Sequence, residues 1–383
     1  MKKDFLPYLL DFGELQIYLS RHFGFCYGVE NAIEIAFRLI EENPEKRIFL
    51  LSEMIHNPHV NASLRERGVR FLQDTHGRQL IGFEELSPKD IVITPAFGTT
   101  VEIENHLKTI GITPEKYKTT CPFVEKVWNR SEQIARGEYT VVVHGKPLHE
   151  ETRATFSHAA SHAPTVIVKN MAEAVELAKY ITREKSATEF YSAFKGRHSP
   201  GFEVEKDLQR IGVVNQTTML ATDTQAIADF LKQTMINHYH LTEDRIEEHF
   251  ADTRDTLCYA TLDNQSAVLA MLELDADLAI VVGGYNSSNT SHLAELFEKK
   301  LATYFIDSAE RLLSNREIVH HNIHDKKELL TKDYFPSHKP VRIFITSGAS
   351  CPDATVENVI RKLVSFFPVS TTLEEMAAQL TAS

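Results

Sequence analysis

Hydrophobic residues fall in two alternating patterns along the chain. Short runs rich in β-branched residues predict strands: "RIFLLS" (47–52), "DIVITPAF" (90–97), "YTVVVHG" (139–145), "PTVIVK" (164–169), "RIGVVNQ" (210–216), "DLAIVVGG" (277–284), "TYFID" (303–307) and "VRIFITSG" (341–348). Several are almost continuously apolar, as parallel strands covered on both faces are. Between them apolar residues recur at helical spacing. Val29, Ala32, Ile33, Ala36, Leu39 and Ile40 form one face over 29–40, and 171–181, 222–236, 290–300 and 353–366 repeat the pattern. Strand–helix alternation of this kind predicts α/β architecture with parallel sheets, whose ligands bind beyond the carboxyl ends of the strands. The polar segment 184–207 shows no such period and is expected to be an inserted loop, with 368–383 a short tail.

The length of 383 residues suggests two or three domains, and 43% hydrophobic residues suffice for substantial cores. Lys+Arg number 41 against 53 Asp+Glu, a net charge of −12, which argues against a general nucleic-acid binder. A small anionic substrate stays compatible, because a pocket is local and net charge is global. No apolar run approaches the ~20 residues of a membrane span. Asp4, Asp11 and Glu14 interrupt the N-terminal stretch, and no small-residue cleavage site follows it. That stretch is expected to belong to the folded protein, and the chain to be cytoplasmic with reduced thiols.

The strand-to-helix junctions carry the candidate chemistry. Cys26 in "FGFCYGVENAIEIA", Cys121 in "KTTCPFVEKVWN" and Cys258 in "DTLCYATLDNQSAV" each stand at a turn before a helical pattern, and Pro122 suits a first helical position. A helix N-terminus favours thiolate, and thiolates bind metals. Three α/β units, each entered by a cysteine, would bring three thiolates to one centre, as around an iron–sulfur cluster with one open iron. Spacing alone also allows unrelated buried thiols, and no paired-cysteine zinc motif is present. At 285–293, "YNSSNTSHL" gathers small hydroxyls and amides after a strand. Such groups at a helix start hold phosphate oxygens, or simply cap the helix.

The ordered pieces "GFCYGVENAI", "IHNPHVNASLRERGV", "TTCPFVEKV", "HEETRAT", "NQTTM", "DTLCYAT", "YNSSN" and "SGASCPD" resemble 4-hydroxy-3-methylbut-2-enyl diphosphate reductases, the last enzymes of the methylerythritol phosphate route to isoprenoids. The resemblance covers about residues 24–360. It implies a trefoil of three small α/β domains around a [4Fe–4S] cluster, one per chain, held by Cys26, Cys121 and Cys258. The matching domains are 26–120, 121–257 and 258–367, after an N-terminal segment 1–25. It implies reductive dehydroxylation of an allylic diphosphate to isopentenyl and dimethylallyl diphosphate, with ferredoxin or flavodoxin as electron donor and neither nucleic acid nor membrane as partner.

By the same resemblance His56, His149, Ser287, Ser288, Asn289 and Ser350 bind the diphosphate, Glu151 is the proton-relay acid, and Thr218 belongs to the proton-delivery network. Thr155 also matches its motif. Cys351, in "GASCPD", stands where the family requires no thiol, and His59 reads as a surface residue. Phe97 in "TPAFGTT" stands where several bacterial members carry a diphosphate-binding His, and places the chain nearer the plant and cyanobacterial branch. Phosphate binding then leans on the other groups, with Thr99 or Thr100 as candidates for compensation. The competing readings are a zinc-dependent hydrolase, a hydro-lyase with an open cluster iron and an iron–sulfur sensor. No compact His/Cys run supports the first, and electron-dependent turnover separates a reductase from the other two.

Overall fold

The computed structural model describes residues 4–251, 256–368 and 371–382. Its strands are β1 (Tyr8–Asp11), β2 (Leu15–Leu19), β3 (Ile48–Leu50), β4 (Arg70–Phe71), β5 (Ile91–Ile93), β6 (Thr140–His144), β7 (Thr165–Val168), β8 (Ile211–Asn215), β9 (Leu278–Val282), β10 (Ala302–Ile306), β11 (Glu317–Asn322), β12 (Lys327–Lys332) and β13 (Val341–Ser347). Its helices are α1 (Tyr27–Glu42), α2 (Pro58–Glu66), α3 (Val101–Ile110), α4 (Pro122–Arg136), α5 (Glu150–Ala160), α6 (Met171–Ile181), α7 (Ala187–Ala193), α8 (Val204–Asp207), α9 (Ala221–Tyr239), α10 (Tyr259–Met271), α11 (Ser288–Glu298), α12 (Asp353–Val364) and α13 (Leu373–Ala382). They form three sheets in two compact units, one of residues 1–27, 56–58 and 259–383, the other of 28–55 and 59–258. Residues 26–120 hold β3–β5, 121–257 hold β6–β8, and 258–367 hold β9–β13.

The second unit contains two parallel three-stranded sheets, ordered β4-β3-β5 and β7-β6-β8. Strand alternation sends Val142, Val166, Val168, Ile211 and Val213 into one core with Leu177 and Ile181 of α6 and Ile227, Leu231 and Met235 of α9. Val141, Val143, Ile167 and Val214 face the opposite way, onto Val127 and Ile134 of α4 and Ala159 of α5. Both faces are therefore covered, which explains the unbroken valine runs.

The expected loop at 184–207 is instead an ordered part of this core. Ser186 and Glu189 form a reciprocal capping box at the start of α7. Phe190, Phe194 and Phe202 are buried with α6 and α9, and the Phe190 ring stacks on Phe194 at 5.0 Å and on Phe202 at 5.1 Å. Three large apolar rings among polar neighbours outweigh the average polarity of the segment.

The first unit carries a seven-stranded sheet ordered β1-β2-β13-β9-β10-β11-β12. Strands β2, β13, β9 and β10 are mutually parallel, and antiparallel pairing brings in β1 and the β11–β12 hairpin at the two edges. The N-terminal stretch thus supplies two strands. The tail forms α13, with Met376 buried in the same core as Phe12, Ile343 and Leu363. Among the described residues no helix is long and apolar enough to cross a membrane.

Candidate functional site

In the first unit, three turns converge at the carboxyl ends of β9 and β13. His56, Asn57 and Pro58 form a short segment packed against the β9–α11 turn so closely that a Cβ on Gly284 would lie 2.2 Å from the His56 carbonyl oxygen. Gly348, after β13, is required in the same way, since its Cβ would meet Thr290 Oγ1 at 1.9 Å. The buried His56 ring donates from Nδ1 to the Asn286 carbonyl at 2.5 Å. Asn57 Nδ2 donates to the Ser350 carbonyl at 3.1 Å, fixing the β13–α12 turn. Asn57 was not singled out from sequence, and its place beside His56 was the only signal for it. His59, in contrast, is exposed.

Ser287 caps α11: its Oγ accepts from Thr290 N–H at 3.2 Å and lies 2.8 Å from Thr290 Oγ1. With its lone pairs engaged, its own proton is left to donate. Ser350 Oγ lies 3.4 Å from Ser287 Oγ, and Ser350 caps no helix, because Pro352 is the N-cap of α12. Asn289 Oδ1 accepts from Ala349 N–H at 2.9 Å, which assigns Nδ2 as the outward donor. That Nδ2 and Ser288 Oγ are buried without a hydrogen-bond partner among the described residues. Each such group costs about 1–3 kcal/mol unless a ligand or water satisfies it. Ser287, Ser288, Asn289, Ser350 and His56 are thus brought together at one helix start, where partial positive charge favours an anion.

In the second unit the ends of β6 and β8 present His149, Glu151 and Thr218. His149 is the N-cap of α5, and its Nδ1 accepts from Glu151 N–H at 3.2 Å. Glu150 and Glu151 are 5% and 1% exposed, not the solvated helix start that two adjacent acids suggest. Glu151 Oε1 accepts from Thr217 N–H at 2.5 Å. Gln216 braces the neighbourhood: its Oε1 accepts from Thr152 Oγ1 and Lys146 N–H, and its Nε2 donates to Thr218 Oγ1 at 2.6 Å. With its oxygen so engaged, the Thr218 hydroxyl keeps a proton to give. None of the three residues 216–218 caps α9, whose N-cap is Leu220.

Thr155 Oγ1 accepts from Trp128 Nε1 at 3.2 Å, a structural contact. Thr100 is committed to capping α3, and the Thr99 carbonyl accepts from His158. The half-buried Phe97 meets the His149 ring edge-to-face, centroids 5.7 Å apart. His158, whose role no sequence motif signalled, has its pKa pushed down to about 4 by burial, against the opposing bond to Thr99.

Each of the three candidate cysteines immediately precedes the first residue of a helix: Cys26 before α1, Cys121 before α4 and Cys258 before α10. Cys26 belongs to the first unit, Cys121 and Cys258 to the second. Cys121 N–H is tied to the Ala96 carbonyl at 2.9 Å. A Cβ at Gly28 would lie 2.4 Å from Cys121 Sγ, so glycine keeps one side of that sulfur open. Beside it, Thr120 Oγ1 is buried without a partner among the described residues. This donor chemistry fits a thiolate-held iron–sulfur group, although among the described residues no group of three or more His, Cys, Asp or Glu is assembled to hold a metal ion. Cys351 differs: it is packed in the first unit's core, and burial pushes its pKa up to about 12, which keeps the thiol protonated.

Comparison with known proteins bears on the whole chain. A sequence model described as LytB protein matches residues 17–364. The 4-hydroxy-3-methylbut-2-enyl diphosphate reductase of Picosynechococcus sp. is 40% identical over 357 residues, 93% of this chain and 86% of its own. That of Cyanothece sp. is 39% identical over 363 residues, covering 94% and 87%. Among solved structures, the E-1-hydroxy-2-methyl-but-2-enyl-4-diphosphate reductase from Plasmodium falciparum shares the fold, with TM-score 0.65 at 20% identity over 96% of this chain and 98% of that one. A family pattern and relatives that run through both units, rather than through one sheet, leave a single conclusion: the chain belongs to the LytB protein family, that of the 4-hydroxy-3-methylbut-2-enyl diphosphate reductases.

Proposed function

We propose that this chain reduces (E)-4-hydroxy-3-methylbut-2-enyl diphosphate to isopentenyl diphosphate and dimethylallyl diphosphate, the last step of the methylerythritol phosphate pathway. Two electrons and two protons enter, the allylic C–O bond breaks, a C–H bond forms and water leaves. The observation that carries the reading is the pair of buried donors at the start of α11, Ser288 Oγ and Asn289 Nδ2, that have no partner among the described residues. With Ser287, Ser350, His56 and His149 they supply the diphosphate with hydroxyl, amide and imidazole donors and no lysine.

Cys26, Cys121 and Cys258 would hold a [4Fe–4S] cluster with three protein ligands, which when bound supplies the electrons and a Lewis-acidic open iron. Hydroxide is a poor leaving group, so the departing oxygen needs a proton. Glu151 is the acid and the Thr218 hydroxyl the relay. His149 serves as a diphosphate ligand and, through Nδ1, as the cap that holds the Glu151 backbone. Ferredoxin or flavodoxin is the proposed electron donor. The test is anaerobic purification with iron and sulfide analysis, then turnover with and without a chemical reductant. Iron, acid-labile sulfide and reductant-dependent formation of both products are expected. Zinc in place of iron, or conversion without reductant, would overturn the assignment.

A further inference from the structure

We propose that Tyr285 is a positioning residue for the diphosphate site: its ring ties the turn that carries Ser287, Ser288 and Asn289 to the β11–β12 hairpin, so those donors stand in place before an anion arrives. The inference rests on the reading of that turn as the diphosphate site. Tyr285 follows the end of β9 and stands two residues before Ser287, the N-cap of α11. Its backbone neighbours are held by the His56–Pro58 segment: Gly284 packs on the His56 carbonyl, and the Asn286 carbonyl accepts from His56 Nδ1. The half-buried Tyr285 ring supplies a second hold. It stacks on His321 of β11 with centroids 4.5 Å apart and planes at 13°, and meets Phe305 of β10 edge-on at 5.2 Å and 90°. His321 in turn meets Phe305, its antiparallel partner, edge-on at 5.8 Å.

The hairpin end of this tie is itself fixed. Phe305 is buried, on a strand paired along both edges. Arg311 donates to both Asp307 carboxylate oxygens, at 2.7 and 3.0 Å, and pairs with Glu328 of β12 at 2.8 Å. Its guanidinium lies over the Tyr285 ring, 5.8 Å from the centroid, within reach of a cation–π attraction. The Tyr285 hydroxyl is buried with no hydrogen-bond partner among the described residues, so the ring makes the tie. While the rings hold the turn, the donors need no ordering by the ligand. Without them the anion has to order the turn as it binds, and the observed affinity falls with the fraction of molecules in which the turn is correctly placed.

The experiment uses the full chain under nitrogen, with inorganic pyrophosphate as the calorimetric probe and Ser288→Ala as the control for the anion site. Tyr285→Leu and His321→Leu should each weaken pyrophosphate binding about 3- to 10-fold, the scale of one aromatic pair. Tyr285→Phe and His321→Phe, which keep two rings in contact, should bind as the parent does. The double Leu variant should bind no more weakly than Tyr285→Leu, because one tie is lost in either case. With substrate and a chemical reductant, KM should rise by the same factor at near-parental kcat, since the diphosphate is held alike in the ground and transition states. A lower melting temperature in the Leu variants fits a purely structural role as well, so affinity decides. If Tyr285→Leu does not fold, His321→Leu, in the edge hairpin, carries the expectation alone. Parental affinity in the folded Leu variants, with Ser288→Ala still weakening binding, would overturn the inference and leave the anion site intact. A double variant weakened by the product of the two single effects would also overturn it, because the rings would then act separately. Parental affinity in Ser288→Ala would overturn both the inference and the reading beneath it.

Discussion

Replacing Ser288 by Ala should make the ligand-free protein more stable and the protein with ligand weaker. Ser288 is the first residue of α11, 4% exposed, and its hydroxyl has no hydrogen-bond partner among the described residues. Removing an unsatisfied buried hydroxyl recovers about 1–3 kcal/mol, and Ser→Ala adds up to ~0.5 kcal/mol of helix propensity. A net gain of about 1–2 kcal/mol corresponds to a rise of roughly 2–8 °C in melting temperature for a folding unit of 150–250 residues. The same change deletes a charge-assisted hydrogen bond of about 1.5–3 kcal/mol to the diphosphate, so the dissociation constant should rise roughly 10-fold or more. The neighbouring serine gives the control. Ser287→Ala also weakens binding, but it removes the N-cap bond to Thr290 and should lower stability by about 1 kcal/mol. Thermal melts of the ligand-free chains and calorimetry with the substrate, both under nitrogen, measure the two quantities. A Ser288→Ala protein that melts below the parent and binds substrate equally well would show that the hydroxyl serves the fold, and the reasoning would fail.

Glu151→Gln keeps the acceptor for Thr217 N–H and removes the acid, so steady-state turnover should fall at least ~100-fold with iron content unchanged; near-parental turnover would assign the proton to another group. Cys351→Ala should retain full iron and sulfide while Cys121→Ser loses them, and loss of iron in the Cys351 variant would mean four protein ligands and no open position. His158 titrates at about 4 in the fold against 6.5 when unfolded. The unfolded chain therefore takes up the proton first as pH falls. The group costs no stability above about pH 6.5 and destabilises increasingly down to about pH 4, by at most about 3 kcal/mol. His158→Gln should flatten that part of the urea-midpoint profile, and parallel profiles for mutant and parent would refute the assignment.

The strands at the centres of the sheets were legible because they are covered on both faces and leave continuous apolar runs, as in "TVVV" of β6. The edges were not. Strand β12, "KELLTK", is exposed along most of its length, with Leu329 40% and Leu330 52% exposed, so its sequence carries no buried face to detect. The N-terminal strands are short, and the pairing of β2 with β13 is a contact across most of the chain. Phe190, Phe194 and Phe202 were hidden by the polar average of their segment, although the capping box at Ser186 was written in the sequence. At the site, residue types and helix-start positions could be read, as for Cys121 before Pro122. Partnerships could not. The bond from His56 to Asn286, the unsatisfied Ser288 hydroxyl and the clamp of His158 on Trp128 all depend on contacts distant in sequence.

The pairing of β2 with β13, which sets Leu15 opposite Val341, dictates an order of assembly on the ribosome. The second unit is nearly continuous in sequence and is complete once residue 258 has emerged. The β1–β2 hairpin must wait for a strand more than 300 residues downstream, roughly 16–65 s at a synthesis rate of 5–20 residues per second. During that interval Phe12, Leu15 and Ile17, all fully buried in the finished sheet, have no core to enter. Nascent chains stalled near residue 300 should therefore expose an apolar N-terminal hairpin to chaperones while already carrying a folded middle.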